Sequence, residues 1–223
     1  YTPRAPYAAM INRMDRYVGT VVKLTERLNL SKDTVVIFSS DNGTSHLKLE
    51  VDYDFFDSVG DLRGLKGSLY EGGIRVPLLV KWPGKINGGT VSDKMIGFED
   101  WLVTLHSMIQ ATKPLTATHD GHDQAKHILG NCELSRPALY REFSGYGGQQ
   151  AVWIQKWKGI RQKMMRKGKN HDPLKIELYD LSVDESESED LASKHPEIVD
   201  KLRKMMADQH IPSQEFPIPV IDQ

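Results

Sequence analysis

One cysteine in 223 residues excludes an internal disulfide and leaves the redox compartment open, Cys132 being an unpaired thiol. Charge of one sign is not in excess either: 29 basic against 30 acidic side chains give a formal net charge of −1. That near-balance excludes a global field for nucleic acid or an acidic membrane, so partners have to be argued locally. No stretch approaches the apolar length needed to span a bilayer. No signal peptide opens the chain, an absence that carries no information if the true start lies upstream. What is present is an apolar fraction of 39%, enough for a real core, at a length that suits one large or two modest domains.

Tyr7, Met10, Ile11, Met14, Tyr17, Val18, Val21, Leu24 and Leu28 recur at three- and four-residue steps, which predicts one apolar face of a helix. The turn chemistry of Asn29 to Asp33 should end it. Thr34 to Ser39 then reads as a strand. Its β-branched and aromatic run lacks polar alternation, as expected of a parallel strand covered on both faces. A helix followed by such a strand is half of a doubly wound α/β sheet, in which ligands collect at the carboxyl ends of strands.

Asp41-Asn42-Gly43 occupies that end. A carboxylate and an amide there offer hard oxygen ligands for Ca²⁺ or Mg²⁺, although Asp-Asn-Gly is also an ordinary turn sequence. Downstream, Leu62-Arg63-Gly64-Leu65-Lys66-Gly67 and Tyr70-Glu71-Gly72-Gly73-Ile74-Arg75-Val76-Pro77 wrap glycines around one lysine. Glycines 64, 67, 72 and 73 let the backbone bend tightly around Lys66 and approach a ligand, before a strand from Leu78 to Trp82. An ammonium on such a loop offers a mobile positive charge to an anionic oxyester.

Ser40-Asp41-Asn42-Gly43, Leu62-Arg63-Gly64-x-Lys66-Gly67, the Tyr70 to Pro77 segment and Trp82-Pro83-Gly84 resemble the second half of the sulfatase family, within the alkaline-phosphatase-like superfamily. Tyr7 to Met10, Met14-Asp15 and Ile176 to Leu181 extend the likeness over nearly the whole chain. The resemblance implies hydrolysis of sulfate monoesters of a sulfated carbohydrate or aryl compound. It also implies Asp41 and Asn42 as ligands of calcium, with magnesium as the alternative, Lys66 neutralising the departing oxygen, and an extracytoplasmic setting, whether periplasmic, secreted or lysosomal. Such enzymes attack sulfur with a formylglycine made from a Cys-x-Pro-Ser-Arg or Ser-x-Pro-x-Arg motif. No such motif precedes Asp41, so the resemblance places the formylglycine in a missing N-terminal half of the same protein, and the fragment alone should be inactive. Cys132-Glu133-Leu134-Ser135-Arg136 imitates the motif with the wrong third residue and in the wrong order, and reads as a loop.

Rival readings are a phosphoesterase or phosphonate hydrolase of the same superfamily and a noncatalytic anion-binding or assembly module. His46, three residues beyond Gly43, is a candidate substrate contact. Arg63 and Arg75 read as structural ion pairs with Glu71 or Asp61, and Tyr70 as packing against the sheet. Asp52, Asp54 and Asp57 lack EF-hand spacing and read as a substrate rim or a solvated loop.

Phe98 to Ile109 predicts an amphipathic helix with Trp101, Leu102, Leu105, Met108 and Ile109 buried. His119 to Asp123 reads as a domain link. Strands are expected at 138–143, 150–155, 157–161 and 177–180, with a turn near Lys156-Trp157 and Lys158-Gly159. A helix entered through His195-Pro196-Glu197 should follow, then an extended tail from Ile211. The basic run from Lys156 to Lys169, interleaved with Trp153 and Trp157, reads as a solvated hairpin. The fold class expected is α/β: the C-terminal part of a doubly wound, mostly parallel sheet domain over residues 1–116, then a small antiparallel-sheet subdomain with a packed helix over 117–223.

Overall fold

The computed structural model describes residues 3–130, 136–169 and 171–222. The Cys132 segment therefore lies outside the described residues. Two compact units interleave along the sequence. One comprises residues 1–12, 40–77 and 137–223, the other residues 13–39 and 78–136.

Helix α1 runs from Arg4 to Arg27. It ends where Asn29 enters the left-handed region (φ 56°), a conformation Asn tolerates, and Leu30 N–H closes back on Thr25 C=O at 2.8 Å. No residue of α1 is buried, and Met10, Tyr17 and Val21 on its apolar stripe are exposed.

In the second unit, β1 (Val36–Ser39) pairs with β2 (Leu78–Lys81). The ladder is antiparallel, with Val36 opposite Lys81 and Ser39 opposite Leu78. Among the described residues β1 is thus paired antiparallel, where a parallel partner was expected, and Ile37 and Leu79 are exposed. An apolar run specifies burial propensity, whereas strand direction is set by a partner far along the chain.

After the short helices α2 (Tyr53–Phe56) and α3 (Glu71–Ile74) of the first unit, helix α4 (Asp100–Met108) of the second buries Asp100, Val103, Thr104 and Met108, while Leu102 and Ile109 are exposed. The inward face is therefore rotated from the predicted one, and the cause is hydrogen bonding. The Asp100 carboxylate accepts from Gly97 N–H at 2.9 Å and His122 N–H at 2.8 Å, and also from the Arg136 guanidinium. Thr104 Oγ accepts from Gln124 N–H at 3.0 Å. Polar groups satisfied in this way can be buried where an unpaired one would cost several kcal/mol. Asp123 accepts from Ser107 Oγ and Ala125 N–H, a structural role consistent with a linking segment, ahead of short helix α5 (Ala125–Ile128).

The first unit is organised by a four-stranded antiparallel meander, β3 (Leu139–Phe143), β4 (Gln149–Ile154), β5 (Trp157–Arg161) and β6 (Glu177–Asp180), in that spatial order. The β4–β5 turn is Gln155-Lys156, with Gln155 left-handed at φ 51°, so Lys158-Gly159 lies within β5 and not in the turn. Every residue of β4 and all but Trp157 of β5 are buried, Lys158 and Arg161 among them, so the solvated-hairpin reading fails for the strands but holds for Lys156, Lys163, Arg166, Lys167 and Lys169, which are exposed.

Helix α6 (Pro196–Gln209) lays Val199, Leu202 and Met206 on Val152, Ile154, Ile176 and Leu178 of this unit. Pro196 suits the first turn because its missing N–H would have no helical partner. At Gly159 α6 comes close to the sheet: a Cβ there would stand 2.8 Å from Leu202 Cδ1, which would have to shift. In the tail, Ile218 is buried and its N–H donates to Asp222 at 2.6 Å.

Candidate functional site

The Asp41-Asn42-Gly43 turn begins two residues beyond the end of β1. Ser40 Oγ–H donates to Asn42 C=O at 3.0 Å, fixing the bend. Gly43 N–H donates to Gly73 C=O at 2.8 Å, and Lys66 N–H donates to Thr44 C=O at 2.9 Å. The turn and the lysine segment are thus joined by two backbone hydrogen bonds. Side chains are excluded at the seam: a Cβ on Gly43 would lie 2.0 Å from Gly72 C=O, and one on Gly73 would lie 2.2 Å from Ser68 C=O.

Gly64 and Gly67 hold φ near +88° and +89°, so the lysine loop uses conformations that L side chains rarely adopt. The segment closes with the four-residue helix α3 (Glu71–Ile74), which the glycine pattern hid. The Asp41 and Lys66 side chains are exposed and Asn42 is half-buried. His46 is exposed and meets the ring of Tyr146 edge-on, with centroids 5.7 Å apart.

Asp41 and Asn42 are hard oxygen donors suited to Ca²⁺ or Mg²⁺, but two donors fall short of the six to eight oxygens calcium takes. Among the described residues, no three His, Cys, Asp or Glu side chains gather to hold a metal ion. The pair therefore fits part of a cation shell. The Asp52 carboxylate accepts from Phe55 N–H and pairs with Arg4, and Asp54 pairs with Lys48 at the surface.

Beneath the lysine segment lies a charged lattice that sequence reasoning missed. Lys158 Nζ, fully buried, sits 2.9 Å from Glu71 Oε1 and 2.6 Å from Glu187 Oε1. Trp153 Nε1–H donates to Glu71 Oε1, and Glu71 N–H donates to Glu187 Oε2 at 2.7 Å. Burial pushes the Glu187 carboxyl above its ordinary range while Lys158 opposes that rise.

Beside it, Arg63 donates to Tyr179 Oη at 2.8 Å and to Glu187 C=O, and its guanidinium lies 3.9 Å from the Tyr70 ring centroid. Tyr70 and Tyr179 both donate to Glu177 Oε2. Desolvation, followed by the Glu177 carboxylate, pushes both phenols well above the ordinary tyrosine range. Arg63 and Arg75 are structural as expected, but their acidic partners are Glu177 and Glu185 instead of Glu71 or Asp61. Sequence separations above 100 residues between these partners left no local signal.

The profile of the family described as Sulfatase matches residues 2–111, and that described as N-sulphoglucosamine sulphohydrolase, C-terminal, matches residues 64–211. The N-acetylgalactosamine-6-O-sulfatase of Bacteroides thetaiotaomicron is 27% identical over 216 residues, covering 88% of this chain and 40% of that protein. Human arylsulfatase A is 28% identical over 226 residues, covering 91% of this chain and 43% of that one. A solved Bacteroides thetaiotaomicron structure, described under the metabolism of multiple glycosaminoglycans, superposes with a TM-score of 0.69 at 25% identity and covers 87% of this chain and 42% of its own. The chain spans about two fifths of the length of these curated relatives. With one profile over its first half, another over well over half of its length, and the matching fold, the chain belongs to the sulfatase family.

Proposed function

We propose that this chain supplies part of the metal and sulfate site of a sulfuric ester hydrolase acting on sulfate monoesters, most naturally those of a sulfated carbohydrate. The observation that carries the reading is the joining of the Asp41 turn to the Lys66 loop in a chain of this family. Asp41 and Asn42 would give oxygen ligands to Ca²⁺, or to Mg²⁺, which when bound polarises sulfate oxygens. Lys66 meets the negative charge that develops on the departing alcohol oxygen, a contribution on the order of 3–4 kcal/mol for a well-placed donor. His46 would reach the substrate rim. The attacking formylglycine and the remaining ligands are assigned to an N-terminal half of the same protein. The reading carries an extracytoplasmic setting with it, and no helix among the described residues is long and apolar enough to cross a membrane.

The test is an assay of the longer protein on paired sulfate, phosphate and phosphonate monoesters, with Lys66→Ala alongside. Preference for sulfate esters and a fall in kcat of about 10²–10³ in the variant are expected. Preference for phosphorus esters would transfer the site to the sister chemistry, and no turnover of any ester would favour an anion-binding module.

A further inference from the structure

The Lys66 loop is held from one side by a single buried amide. Gln149, 1% exposed at the start of β4, donates from Nε2 to Gly67 C=O at 2.7 Å and accepts at Oε1 from Leu69 N–H at 3.0 Å. Gln162 Nε2 donates to the same Oε1 at 2.9 Å. This orientation of the amide alone satisfies all three contacts, since Gly67 offers an acceptor and Leu69 a donor. The side chain therefore pairs with the backbone of residues 67 and 69 much as a strand would. It does so one residue beyond the lysine.

The same hairpin presses on the loop from a second direction. Tyr146, held left-handed at φ 54° between β3 and β4, packs so closely on Gly67 that a Cβ there would stand 2.3 Å from its ring. Lys66 N–H is meanwhile tied to Thr44 C=O. The backbone of Lys66 is thus fixed before it by the Asp41 turn and after it by the β3–β4 hairpin, while its side chain is left exposed.

We propose that Gln149 is a positioning residue for Lys66: by clamping Gly67 and Leu69 it sets where the lysine ammonium stands when the ester oxygen departs. The inference rests on the reading of Lys66 given above. Its chemistry makes a distinctive demand. A lysine that neutralises the leaving oxygen matters most when that oxygen is strongly basic, as in a sugar alcohol, and least for a nitrophenol. A residue acting through Lys66 must show the same dependence, whereas general loosening of the fold would lower all substrates alike.

The experiment uses the longer protein and a series of sulfate monoesters whose leaving groups run from 4-nitrophenol to a monosaccharide hydroxyl. Gln149→Leu, which keeps bulk and loses all three hydrogen bonds, and Gln149→Glu, which loses the donor to Gly67, are compared with Lys66→Ala and with each double variant. Expected are a kcat loss of about 10–100-fold on the sugar ester, little loss on the nitrophenyl ester, and a smaller effect when Lys66 is already alanine. Gln149→Glu should recover kcat on the sugar ester as pH falls and its carboxyl regains a proton to donate.

Equal losses on all esters, or full additivity with Lys66→Ala, would overturn the proposal. If Lys66→Ala itself shows no leaving-group dependence, the underlying reading of Lys66 fails instead, so the two failures are told apart. Should Gln149→Leu not fold, as thermal unfolding would reveal, Gln149→Glu and its pH dependence carry the decision.

Discussion

Lys158 holds its ammonium 2.6 Å from Glu187 Oε1, with neither side chain reachable by solvent. Glu71 shares the same ammonium, so two carboxylates depend on one cation. Lys158→Met is expected to destabilise the unit by about 3–5 kcal/mol, because removing one partner strands buried charge. Urea unfolding at neutral pH measures this.

The deficit should also shrink on acidification. Glu187 has a folded pKa raised above its unfolded value, and losing Lys158 raises it further. A group of this kind favours folding below its unfolded pKa and loses that contribution as pH rises through the folded one. A loss under about 1 kcal/mol, or one independent of pH, would count against the buried lattice.

Asp184 behaves in the opposite sense. Partial burial pushes its carboxyl up, but the amides of Glu189 and Ser188 and the hydroxyls of Ser186 and Ser188 outweigh this and hold it at about 2. A depressed pKa favours folding above the unfolded value of 3.8, and that contribution is lost as pH falls through about 2. Asp184→Asn should therefore cost about 1–2 kcal/mol near pH 7 and progressively less below pH 3.8, as followed by chemical denaturation across pH.

Gly43→Ala places a methyl 2.0 Å from Gly72 C=O. The expected cost is about 1–3 kcal/mol, since only backbone movement can relieve the overlap. Separation of the Asp41 turn from the lysine loop should lower kcat on sulfate esters in the longer protein. Unchanged stability and turnover would show that the two segments need not touch.

Calcium titration by calorimetry on the longer protein, repeated with Asp41→Ala, tests the ligand assignment. A weakening of at least about 1.4 kcal/mol, one decade in Kd, is expected. Unchanged affinity would remove Asp41 from the coordination shell.

Local pattern carried much of the architecture. The end of α1 at Asn29, the four strands of the meander and the proline-led start of α6 follow from periodicity and turn chemistry within a dozen residues.

What escaped depends on partners remote in sequence. Antiparallel pairing of β1 with β2 could not be read from either strand. The buried face of α4 was missed because Asp100 and Thr104, polar by type, are satisfied by the 97–136 stretch. Lys158 looked solvated in a basic run because Glu71 and Glu187 converge on it from 87 residues before and from a later loop.

The amide contacts that grip the Lys66 segment span 80 and 82 residues. At the usual pace of translation that is a delay on the order of 4–16 s between emergence of the lysine from the ribosome and of Gln149. Throughout this interval the nascent loop has the Asp41 turn beside it but lacks the β3–β4 hairpin. A message truncated before residue 149 would therefore yield a polypeptide that carries the lysine with only one of its two supports.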